Sequence, residues 1–145
     1  MALNMTRKYT KTEVWPVPDG TLSGAAVVSS SASGRRPGVA LTSEGGATRS
    51  ETVGPYTISG IPAGGVGLLD NFATVAIDGA FRFPVTGASA STAVDTPVYA
   101  VLSTDTVTSL TLTASTNPPF GYIDRFIGES GTTDCSVWVG DIVDA

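Results

Sequence analysis

The chain has no histidine and a single cysteine, Cys135, in 145 residues. Without histidine a serine or cysteine nucleophile has no imidazole base, so a triad-type hydrolase is excluded. The two lysines, Lys8 and Lys11, both fall in the first twelve residues, which leaves a Ser–Lys arrangement little support. One cysteine makes no intrachain disulfide and, without histidine, no zinc site. Cys135 sits in the strand-like run TTDCSVWVG and reads as a small buried apolar residue. Charged residues make up 14% of the chain, against a usual ~25%. The net charge of −5 and the pI near 4.4 lack the basic footprint of a nucleic-acid binder. No apolar run reaches the length of a membrane-spanning helix, and MALNMTRKYTK has no apolar stretch like that of a signal peptide. The expectation is a protein made in a cytoplasm, with no catalytic site, cofactor, metal, membrane or nucleic-acid partner. The acids Asp78, Asp95, Asp105, Asp124, Glu129, Asp134, Asp141 and Asp144 are scattered, without the ligand spacing of a calcium loop.

What takes the place of charge is Thr, Ser, Gly and Ala, a composition suited to strands, turns and a partly covered surface. Short runs between Gly, Pro, Ser and Asp clusters read as strands. They are residues 21–28, 38–42, 97–103, 109–115, 120–128 and 136–143. No stretch has helical periodicity, so the expected fold is all-β, a compact sandwich or barrel-like domain. A chain of this length usually forms one domain. It buries about 68–70% of its unfolded surface, so it needs neither disulfide nor metal to fold.

The most regular stretch is Ala73 to Val85, ATVAIDGAFRFPV. Its odd positions (Val75, Ile77, Gly79, Phe81, Phe83, Val85) are apolar or glycine, while the even ones are small or charged. That alternation predicts a long half-buried strand. Asp78-Gly79 interrupts it, so the run either bends or bulges there or folds as a hairpin, and the unbroken register favours the bend. Val75, Ile77, Phe81, Phe83, Val98, Ile123, Val137 and Val139 are the expected core.

Two segments stand apart. Residues 1–20 read as an extended N-terminal arm ahead of a β domain over 21–145. The arm carries Arg7, Lys8 and Lys11, and ends in Trp15, which leads into Pro16-Val-Pro18. Trp15 is an anchor for the arm, either on the protein's own core or on a partner. Residues 43–71 read as a long loop with seven glycines, Pro55 and Pro62, in which 53–58 is a possible edge strand. Its 60–67 segment has glycines but no Lys-Ser/Thr and no following helix, which excludes a phosphate-binding loop. Arg35-Arg36 reads as a solvated or ion-paired pair in a chain this acidic.

The order of several landmarks resembles the capsid decoration, or head-stabilising, proteins of tailed bacteriophages. They are Gly24-Ala-Ala-Val27, Gly38-Val-Ala40, Gly79-Ala-Phe81-Arg-Phe-Pro84, Asp95-Thr-Pro-Val-Tyr99, Phe120-Gly-Tyr-Ile123 and Val137-Trp-Val139. They run from about Leu22 to Asp141, with residues 42–72 as an insertion relative to the family pattern. The resemblance implies a structural virion protein on the outer surface of an icosahedral head. Its partner would be the major capsid protein, and it would sit as a homotrimer at three-fold positions. A closed trimer needs a heterologous interface, for which Tyr56, Ile58 and Ile61 of the inserted loop are candidates. Arg7, Lys8, Lys11 and Trp15 are the candidate capsid-gripping residues. The alternative is a receptor- or carbohydrate-binding β-module of a head fibre or tail. An aromatic cluster on one exposed face would favour it. Phe72, Phe81, Phe83, Tyr99, Phe120, Tyr122, Phe126 and Trp138 instead sit within strand patterns and read mostly as core.

Overall fold

The computed structural model describes residues 4–29, 35–65, 67–127 and 133–140. These form twelve strands and no helix. In chain order they are β1 (Met5–Arg7), β2 (Thr12–Pro16), β3 (Ala26–Val28), β4 (Pro37–Ala40), β5 (Thr48–Val53) and β6 (Tyr56–Pro62). Then follow β7 (Phe72–Ala76), β8 (Ala80–Thr86), β9 (Pro97–Ser103), β10 (Thr106–Thr111), β11 (Pro119–Phe126) and β12 (Asp134–Val139).

Strands β8, β10, β9, β11 and β12 close into a five-stranded barrel, because β8 pairs with both β10 and β12. The β8–β10 contact is parallel and short, joining Val85 and Thr86 to Leu110 and Thr111; the other barrel pairings are antiparallel. A second sheet, in the order β2-β7-β4-β3, packs one face on the barrel, and β5-β6 form a separate hairpin. The barrel core holds Phe81, Phe83, Val85, Val98, Leu110, Phe120, Ile123, Cys135, Val137 and Val139, joined by Val28, Val39, Leu41 and Ala76 of the second sheet. Phe83 and Phe120 meet edge to face, with ring centroids 5.9 Å apart. The all-β expectation therefore holds, and the expected core residues are buried except Ile77, which is partly buried at the rim of the second sheet. Cys135 is fully buried, and burial, then the charge of Asp134, pushes its thiol pKa up.

The run 73–85 corrects the single-strand expectation. It divides at Ile77-Asp78-Gly79 into β7 and β8, which belong to different sheets and do not pair. Gly79 takes φ +97°, and an added β-carbon there would lie 3.0 Å from the Tyr9 backbone. The turn reverses the parity of the alternation. Ala76 and Phe81 face the barrel core, whereas Val75 joins a second cluster with Trp15, Val17, Val27, Ala40 and Ala73 on the outer face of the small sheet.

The described part of the arm is sheet, not a free segment. β1 pairs with β8 and β2 with β7 over five residue pairs. The polar, glycine-free sequence was compatible with extended chain, and the open edges of β7 and β8 supply the backbone partners that keep it on the body. Asp78 fastens the crossing between β1 and β2 by accepting from the Thr10 and Lys11 amides, at 2.7 and 3.0 Å, and from the Thr10 hydroxyl. Burial raises the Asp78 pKa, but these hydrogen bonds outweigh it and hold the carboxyl below its ordinary range.

Candidate functional site

The expected loop over 43–71 is largely a β-hairpin, and its geometry is the first candidate site. Gly54-Pro55 makes the turn rather than part of an edge strand. The register runs Val53↔Tyr56, Glu51↔Ile58 and Arg49↔Ile61. Between the last two pairs β5 advances by two residues and β6 by three, so β6 carries a bulge, with Gly60 at φ +72°. Directly opposed residues share a face. The bulge thus brings Tyr56, Ile58 and Ile61 onto one face with Val53, which simple alternation would not do. The other face carries Thr52 and Thr57, whose hydroxyls lie 3.4 Å apart. The apolar face is uncovered: Tyr56 is 73% exposed, Val53 60% and Ile58 52%. The same face also carries the Arg49–Glu51 ion pair, at 3.3 Å.

The hairpin rises from a tightly tied base. The Ala63 amide donates to the Ala47 carbonyl at 2.8 Å. The carboxylate of Glu44, only 3% exposed, accepts from the Gly46 amide at 3.0 Å and the Asn71 amide at 2.6 Å.

The four N-terminal candidates lie in different surroundings. Arg7 is exposed at the end of β1 and donates to Asp124 at 3.1 Å. Lys8 is exposed between β1 and β2. Lys11 is exposed at the start of β2, facing a groove described below. Trp15 is 5% exposed and anchors on the protein's own core. Its ring lies over Gly38, where a β-carbon would come within 3.0 Å. Its indole N–H donates to Glu13 at 3.0 Å, and the Arg36 guanidinium stacks 5.4 Å above it. Arg36 also pairs with both carboxylate oxygens of Glu13, at 3.1 and 2.8 Å. That pairing, then the Trp15 bond, holds the Glu13 pKa down to about 2. Arg35 pairs with Asp105, so both arginines of the pair are ion-paired.

A groove of about 700 Å³ lies between the small sheet and the outer wall of the barrel. Lys11, Arg35, Arg36 and Asp78 line one side; Tyr99, Tyr122 and Trp138 line the other. The aromatic residues sit on three neighbouring strands, with Tyr122 directly opposite Trp138. All three are half-buried rather than core, which corrects their assignment to the interior. Their signal was present in the alternation. Val98-Tyr99-Ala100 and Val137-Trp138-Val139 point small apolar residues inward, and therefore the ring between them outward. Phe81, Phe83 and Phe120 are interior, as expected.

Among the described residues no group of three or more His, Cys, Asp or Glu is placed to hold a metal ion, and no helix is long and apolar enough to cross a membrane. Comparison with family models, curated proteins and solved structures gives no match to this chain.

Proposed function

We propose that the protein is a structural component of a tailed-bacteriophage particle. It binds the outer surface of the icosahedral capsid, strengthens the shell, and acts there as a homotrimer. The order of sequence landmarks supports the family reading. The hairpin is the observation that carries the interaction. An isolated two-stranded hairpin is marginal in water, and this one exposes Val53, Tyr56 and Ile58 together on one face. Such a surface is stabilised by covering it, and a rigid base sets the direction in which it projects. In a trimer the face packs against a neighbouring copy, where a heterologous contact closes the ring. The major capsid protein is then met by the rest of the surface, including the exposed basic residues Arg7 and Lys8 of the first strand and its connection.

The test is a paired substitution, Tyr56→Asp with Ile58→Asp. Both side chains are exposed, so the fold is expected to keep its melting temperature. The variant is expected to sediment as monomer where the parent forms trimers on heads, and to decorate expanded heads poorly. Full trimer formation and full decoration by the variant would contradict the reading.

A further inference from the structure

Two surfaces of this chain match each other, the hairpin face and the groove between the barrel and the small sheet. We propose that the groove receives the hairpin of a second copy of the chain. Val53, Tyr56 and Ile58 of one copy then pack on Tyr99, Tyr122 and Trp138 of the next. This rests on the homotrimer reading above and assigns the receiving surface.

The hairpin does not satisfy itself. β5 is exposed at every position and β6 at all but Ile61. Its sheet has only two strands, so each strand keeps one edge of unpaired N–H and C=O groups. A surface that completes it must supply apolar area together with donors and acceptors. The groove supplies both. Tyr99, Tyr122 and Trp138 are half-buried on strands that are each paired on both sides, so little conformational freedom is lost when a partner packs on them. Their two phenolic hydroxyls and the indole N–H have no hydrogen-bond partner among the described residues. A phenol donates and accepts, and an indole donates, which suits a strand edge of mixed polarity. Tyr and Trp, with an apolar body and a polar tip, are also the residues enriched at protein interfaces. A smaller cleft of about 300 Å³ beside Pro16 and Pro18 is lined without any ring.

Charge points to the same occupant. Arg35 pairs with Asp105, Arg36 pairs with Glu13, and Lys11 lies within reach of the Asp78 charge. The hairpin face brings Arg49 and Glu51, already paired with each other. Neither surface carries an unmatched charge into the contact, which would be costly to bury. The symmetry fits as well. Hairpin face against hairpin face is isologous and stops at a dimer, whereas hairpin against groove joins two different patches and can close a ring of three.

The test replaces Tyr56 by the photoreactive residue p-benzoylphenylalanine. Expanded heads are decorated with a mixture of this variant and isotope-labelled parent chain, then irradiated, and mass spectrometry identifies what the probe has captured. Electron cryomicroscopy of the same heads shows whether the copies sit as trimers. The expected result is trimers, with capture of labelled peptides that contain Tyr99, Tyr122 or Trp138. The same probe at Thr57, on the opposite face of the hairpin, should not capture them. Trp138→Ala should lower the yield of trimers by about tenfold or more, as loss of a central aromatic anchor does. Trimers in which the Tyr56 probe captures another surface of a second copy, the capsid protein or nothing would overturn the groove assignment and leave the homotrimer standing. Copies seated singly on the head would overturn both. Positions 56 and 57 are exposed, so the capture decides the matter even if Trp138→Ala does not fold.

Discussion

At the scale of single residues, polar side chains spend their hydrogen-bonding capacity on fastening the chain to itself. Glu13, Trp15 and Arg36 form one such unit, with Arg36 above the ring and Glu13 bonded to both. Because the Glu13 pKa is depressed from 4.5 to about 2, its stabilising contribution is complete above the ordinary carboxylate range. It is lost as pH falls through about 2. Trp15 fluorescence, read in a Trp138→Phe background, is expected to change with a midpoint near that lower value and to lose the transition in Glu13→Gln. A midpoint at the ordinary carboxylate pKa would contradict the geometry. In the barrel, Phe83→Ala removes a ring that meets Phe120 edge to face and is expected to cost about 3–5 kcal/mol in a urea titration. An unchanged midpoint would place Phe83 outside the core. Burial of such residues was legible because alternation fixes which side a residue takes. Charge partners such as Arg36–Glu13 and Arg82–Asp134, 23 and 52 residues apart, were not, since nothing local to either residue encodes the other.

At the scale of elements, most strands were legible to within a few residues, and the errors have separate causes. A turn residue at positive φ changes which face the following residues occupy. Gly79 sends one alternating run into two sheets, and Gly60 aligns Tyr56, Ile58 and Ile61 on one face of a segment read as loop. The composition of 43–71 correctly signalled turns, but its β-hairpin was hidden because β5 and β6 are exposed on both faces and so lack the half-buried pattern. The N-terminal strands were hidden for the reason already given: their partners lie on β7 and β8, far along the chain. The hairpin's direction depends on Glu44. Glu44→Ala leaves the Gly46 and Asn71 amides without their acceptor, a loss of about 1–3 kcal/mol. Hydrogen exchange is expected to speed up at those amides and in the hairpin while the barrel stays protected. Unchanged exchange at the base would show that the carboxylate is dispensable there.

At the scale of the whole molecule, a closed barrel gives a body with few free strand edges, and the small sheet covers part of its surface. Among the described residues three exposed large hydrophobic side chains, Val53, Tyr56 and Ile58, lie together on an appendage, while Val14, Leu22, Leu69 and Val94 are exposed elsewhere. That division suits a protein whose body is self-sufficient and whose appendage is completed by contact with another chain. Fold class was legible from composition and turn spacing, whereas the two candidate surfaces were not. The groove arises where segments distant in sequence meet, as when Lys11 and Arg36 come to face Tyr122 and Trp138, and the hairpin face depends on the bulge at Gly60. The most direct test of the proposed shell role is the number of copies of the chain in purified phage particles, measured by quantitative mass spectrometry against the major capsid protein. A shell protein is present at a fixed high ratio to the capsid protein, one trimer for each three-fold and quasi-three-fold position. A ratio matching only a vertex or tail fitting, or absence from the particle, would contradict it.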